Sequence, residues 1–176
     1  LDIDCSYEGL YQAIQTGKGL EGTVEFFPEE GKYHFDGHRK CGVSLSPTEA
    51  ERLGGICPVC GKKLTMGVDH RVEQLADREG GFVKEDGKKY ESLVPLPEVI
   101  SACMGYSTAS KKVQGCFEQM LQKLGTEFDI LRNVPAEDIK SCAGERIAEG
   151  IENVRTGHVK RIPGYDGEYG KIELFD

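Results

Sequence analysis

The sequence predicts an α+β chain: a small zinc ribbon followed by a helical bundle, with a short helix and strand ahead of both. Three observations predict it. His38-Arg39-Lys40-Cys41 and Cys57-Pro58-Val59-Cys60 are two pairs of soft metal ligands, each separated by two residues. From Leu96 onward the apolar residues recur at helical spacing. Short β-rich runs bounded by Gly and Pro precede the ligand pairs.

Each element has its own signal. Residues 1–16 predict a helix, with Tyr7, Leu10, Tyr11 and Ile14 on one side, Ser6 as N-cap, and Gly17 and Gly19 as the stop. "TVEFF" predicts a strand that turns at Pro28 and Gly31. Between the knuckles, "SLSPTEAERLGG" predicts a helix. Ser46 caps it, Pro47 suits its first position, Glu49 completes a capping box and Gly54 ends it. "DHRVEQLADRE" predicts another. Residues 79–92, rich in Gly and Lys, predict an exposed connector with at most one short extended segment. "PEVISACMG" opens the bundle. The next helix carries a stripe of Val113, Cys116, Phe117, Met120, Leu121 and Leu124. "EFDILRNV" follows, then "PAEDIKSCAGERIAEGIENVRTG" with Ile139, Ile147, Ile151 and Val154, and a strand-like tail. The expected boundaries are 1–30, 31–78, 79–92 and 93–176.

Composition limits the function. Across 176 residues no apolar run approaches a membrane span, and no signal peptide is visible. The start at Leu1, without a Met, reads as part of a longer protein. Seven cysteines, an odd number with only Cys57 and Cys60 close together, argue against a disulfide framework and for a reducing, cytoplasmic setting. Cys5, Cys103, Cys116 and Cys142 read as packed or idle thiols. A net charge of −8 means that any nucleic acid must be met by a local basic patch on an acidic body.

The knuckles together spell H-x2-C-x15-C-x2-C, a Cys3His pattern with His38, Cys41, Cys57 and Cys60 as zinc ligands. His34 is the alternative histidine. Four protein ligands close the coordination sphere, whereas a catalytic zinc keeps a position open. The zinc is therefore read as structural, supplying folding free energy to a unit with little core. No thioredoxin-like pattern surrounds Cys57 and Cys60 to suggest redox work. His70 reads as a surface or capping residue and His158 as exposed. "GYDGEYG" reads as a hairpin turn or a ligand-contacting loop. No nucleophile–base pair or phosphate loop is apparent. Arg39, Lys40, Lys62 and Lys63 decorate the knuckles, and Lys111 and Lys112 open a helix. These are the candidate nucleic-acid contacts. "CAGERIAEGIENVR" is faintly similar to the second half of a helix-hairpin-helix.

"SYEGLYQAI", "EGKYHFDGHRKCGVSLSP", "GGICPVCGKKLTMGVDHRVEQLADR", "FDILRNVP", "GERIAEGI" and "PGYDGEYG" together resemble the C-terminal portion of the endonuclease Q family. The resemblance implies a longer parent that joins a PHP metallohydrolase domain to a zinc module and a helical domain, and that nicks DNA 5′ to deaminated bases. It implies that residues 1–30 are a remnant of the PHP domain. The catalytic metals of that domain, held by His-x-His and Asp-x-His motifs, are expected outside this chain, so no catalytic residue is carried over and this part is expected to be inactive alone. Two functions remain open: a non-catalytic DNA-binding part of a repair endonuclease, partnered by DNA and the PHP domain, or a zinc-stabilised protein-interaction module without DNA affinity.

Overall fold

The computed structural model of the protein describes residues 1–175. In chain order the helices are α1 (Tyr7–Thr16), α2 (Pro47–Arg52), α3 (Val68–Leu75), α4 (Leu96–Met104), α5 (Lys111–Leu124), α6 (Glu127–Arg132), α7 (Ala136–Ala143) and α8 (Glu145–Thr156). The strands are β1 (Gly22–Glu25), β2 (Asp36–His38), β3 (Val43–Leu45), β4 (Lys89–Ser92), β5 (Lys160–Ile162) and β6 (Lys171–Glu173). The class is α+β, with three two-stranded sheets among the described residues.

Leu1–Glu25 and Asp77–Ser92 form one compact unit. The Ser6 hydroxyl accepts the Gly9 N–H at 3.0 Å and starts α1, and Gly17, at φ 74°, ends it. Of this helix only Ala13 is buried. Tyr7 and Ile14, placed on one side of the helix by their spacing, are 82% and 63% exposed. β1 pairs with β4 in parallel, from Gly22↔Lys89 to Glu25↔Ser92. The segment expected as a connector thus ends in a paired strand.

Phe26–Ala76 and the chain from Leu93 form the second unit. Its larger core lies among the helices, where Leu96, Val99, Ile100, Val113, Met120, Ile130, Ile139 and Ile151 are fully buried. The predicted stripe of α5 supplies Val113 and Met120 to it, with Cys116, Phe117, Leu121 and Leu124 packed at its margin. The long helical pattern after Pro135 divides at Gly144 into α7 and α8. Gly144 sits at φ 97°, ψ 161°, and Gly125, between α5 and α6, at φ 110°, ψ −152°. Only glycine adopts that region readily, so two helix–glycine–helix elbows are written into the sequence. Arg155 locks them. Its guanidinium donates to the carbonyls of Ile130, Leu131 and Val134 at 2.7–2.9 Å, where the end of α6 leaves carbonyls without helical partners. No helix among the described residues is long and apolar enough to cross a membrane.

Candidate metal centre

Two strands and two tight turns bring the ligands together. β2 and β3 pair antiparallel, with His38 opposite Val43. Between them a 3-10 turn, Arg39–Cys41, is closed by Gly42 at φ 64°. In the second knuckle Ile56 pairs with Lys63, and the Gly61 N–H returns to the Cys57 carbonyl at 2.9 Å. Gly37 bridges to Thr65, tying the knuckles into one unit. The donor atoms of His38, Cys41, Cys57 and Cys60 all lie within 4.8 Å of one another. Sulfurs at the corners of a tetrahedral zinc site stand about 3.8 Å apart, from Zn–S bonds of ~2.3 Å. The donor set can therefore hold such an ion with little movement. Nδ1 is the His38 nitrogen on this side, 3.4 Å from the Cys60 sulfur. His34 is outside the group, its ring stacked on Phe35 at 5.3 Å.

The thiols are set for this work unequally. Burial pushes the Cys57 thiol up, but N–H groups of Cys60 and Val59 aimed at its sulfur outweigh that and hold it at about 7. Burial, then the neighbouring Cys60 and Cys57, push Cys41 up to about 11. A metal ion replaces thiol protons in such a cluster and relieves the crowding. Among the described residues the buried apolar cluster around it is Ala50, Cys57 and Leu64, with Pro47 of α2 also buried. So small a core is of the kind that a bound ion stabilises.

His70 departs from its expected surface role. It is 7% exposed, and its Nδ1 lies 2.6 Å from Oδ2 of the fully buried Asp36. Asp36 Oδ1 accepts the Gly67 N–H at 2.6 Å. The partner lies 34 residues upstream, out of reach of any local pattern. Asp36-Gly37-His38 is the chain's one Asp-x-His string, contrary to the expectation that the motif is absent. Its carboxylate is taken up by His70 and the Gly67 N–H, and its His38 Nδ1 lies beside the Cys60 sulfur.

The "GYDGEYG" loop lies against the first knuckle. Tyr165 and Glu168 bracket a two-residue turn in which Asp166 has φ 43° and Gly167 φ 90°. Such Asp-Gly turns favour positive φ at both central residues. Asp166 accepts the Arg39 N–H at 2.7 Å and the Thr65 hydroxyl at 2.6 Å. These two bonds, Thr65 first, hold its carboxyl below the usual range. Arg39, Lys40, Lys62 and Lys63 are exposed on the knuckles, and Lys111 on α5. Lys112, also exposed, donates to the Tyr106 hydroxyl at 2.6 Å and lies over its ring. His158 is exposed as expected. Cys5 is exposed ahead of α1, Cys103 is buried, and Cys116 and Cys142 are half-buried.

Residues 95–158, spanning α4 to α8, match the family model of the MJ0043 C-terminal domain. The chain is 33% identical over 172 residues to the protein MJ0043 of Methanocaldococcus jannaschii, covering 98% of this chain and 22% of that protein. It is 28% identical over 151 residues to YqxK of Bacillus subtilis, covering 83% of this chain and 34% of that one. Its fold is similar to the lesion-specific endonuclease PfuEndoQ of Pyrococcus furiosus. The TM-score is 0.83 at 31% identity, over 97% of this chain and 42% of that one. It is also similar, at TM-score 0.79 and 30% identity, to endonuclease Q in complex with a 27-mer duplex substrate bearing an abasic lesion at the active site. There the match covers 98% of this chain and 44% of that one. The chain spans less than half the length of each of these relatives, and the resemblance to endonuclease Q read from its sequence holds.

Proposed function

We propose that this chain, related in sequence and fold to part of endonuclease Q, is the non-catalytic, DNA-engaging portion of a DNA repair endonuclease. One observation carries the reading: the match to PfuEndoQ runs over 97% of the chain at TM-score 0.83. Zinc is the ion that suits three thiolates and an imidazole, and its role is to hold the knuckles in shape. Arg39, Lys40, Lys62 and Lys63 position the DNA backbone, with Lys111 and Lys112 as a second patch. The lesions are deaminated bases, and the cutting metals belong to a PHP domain outside these residues. We read α1, β1 and β4 as an edge of that domain. A two-stranded parallel sheet is marginal alone, and parallel sheets are normally covered on both faces. The exposed Tyr7, Tyr11 and Ile14 suit such a cover.

The experiment is DNA binding by the purified chain at several salt concentrations, with and without deoxyuridine or deoxyinosine, alongside a nicking assay with Mg2+ or Mn2+. Weak, steeply salt-dependent binding without nicking is the expected result. The charge of −8 favours a second reading, a zinc-stabilised module that docks proteins. Absence of binding to any DNA at low salt selects it.

A further inference from the structure

Beside the first knuckle lies an aromatic surface that the metal does not account for and that shares only Arg39 with the predicted cation pairs. Lys32 Nζ stands 5.8 Å from the Tyr33 ring centroid and 5.6 Å from that of Tyr169. The two rings are 46% and 73% exposed. The Tyr33 hydroxyl and Arg39 Nη1 each lie 3.7 Å from the point where a β-carbon on Gly167 would stand. The Gly167 N–H donates to the Lys32 carbonyl at 2.9 Å, fixing the turn beneath the rings. Asp166 gives its carboxylate to Arg39 N–H and Thr65, so Glu168 is the exposed acid of the turn.

We propose that Tyr33, Lys32, Tyr169 and Arg39, arranged around the Asp166–Gly167 turn, form a stacking platform for unpaired DNA nucleotides. The proposal rests on the reading of this chain as DNA-engaging and specifies the form of DNA. Exposed tyrosine rings offer stacking to any base, and Lys32 and Arg39 offer charge to the phosphates between. An intact duplex hides its base faces, and cations alone would serve it. Aromatic faces interleaved with cations suit nucleotides out of the helix.

The test uses the full chain with a single-stranded oligonucleotide carrying 2-aminopurine, and with the same oligonucleotide annealed. Anisotropy reads affinity and 2-aminopurine fluorescence reads stacking. The chain contains no Trp, so any stacking side chain is a tyrosine or a phenylalanine, and the variants below assign it to Tyr33 and Tyr169. We expect quenching with the single strand. The double variant Tyr33→Leu, Tyr169→Leu should lose on the order of tenfold affinity per ring for the single strand. Its duplex affinity and metal content should be retained, and the Phe versions should retain both forms of binding. Binding of the single strand without quenching by the unaltered chain overturns the platform, whatever the variants' folding. So does a double Leu variant that keeps single-strand affinity, or loses both forms equally. Those outcomes leave the DNA reading standing. Failure of the unaltered chain to bind either form overturns the DNA reading and the platform together.

Discussion

Asp36 and His70 meet at 2.6 Å in the interior, the carboxylate fully buried and the imidazole 7% exposed. Their bond fastens β2, which delivers His38, to α3. Asp36→Ala leaves the His70 Nδ1 and the Gly67 N–H without their partner. Leaving a buried hydrogen-bonding group without its partner costs about 1–3 kcal/mol. Chemical denaturation of the metal-loaded chain should show a loss in that range, larger than that of an exposed Asp86→Ala control.

Metal removal should unfold the knuckles before the bundle. Among the described residues the buried apolar cluster around the ligands is small, Ala50, Cys57 and Leu64, while the helical core stands on its own apolar residues. Cys57→Ser should abolish tight zinc binding. Hydrogen exchange should then rise over residues 36–65, while α4 and α8 keep their protection. Full protection of the knuckles in a strong chelator would contradict this.

Neutralising Arg39, Lys40, Lys62 and Lys63 together should weaken DNA binding from an expected non-specific range of ~10⁻⁴–10⁻⁶ M. On duplex DNA, the slope of log affinity against log salt should fall by about 0.9 for each phosphate that the protein no longer neutralises. Unchanged affinity with the metal retained removes the knuckles from the interface.

Gly144→Ala should cost about 1–3 kcal/mol, because φ 97° with ψ 161° is closed to residues with a β-carbon. Nothing lies within 4 Å of the added methyl, so backbone strain alone is measured. Thermal unfolding of this variant beside Gly115→Ala, at a helical position with equal space, isolates that effect.

The Asp166 turn should loosen in acid. Its carboxyl is held below the usual range, so the folded form binds that proton less readily than the unfolded chain does. The stabilisation is therefore complete above the unfolded value, about 3.9, and is lost as pH falls through the lower folded value. Protection of the Arg39 amide should decline over that window. Asp166→Asn should reduce it at neutral pH.

The sequence made local features legible. Ser6, the Ser46–Glu49 box and the α5 stripe are readable because partners three or four residues apart share one helix face. The metal ligands were readable because a knuckle turn needs few residues and leaves Gly42 and Gly61 behind as marks. Asp36–His70 and Asp166–Arg39 were not, since no periodicity links residues 34 and 127 positions apart. The pairing of β4 with β1 was hidden for the same reason. Tyr33 and Tyr169 carried only a weak sign, an aromatic beside a turn.

The loop around Asp166 reaches back to hold the knuckle at several points. Phe35 donates to the Gly164 carbonyl, Gly164 to Glu29, Gly170 to Glu30, and Asp166 receives Arg39. During synthesis that partner arrives late. At about 5–20 residues per second, the 127 residues between Arg39 and Asp166 take roughly 6–25 s to emerge. Throughout that interval the nascent metal module has an unguarded flank, and any chain stalled before residue 164 keeps it. Proteolysis of ribosome-bound intermediates should cut between residues 29 and 39 until that loop is made.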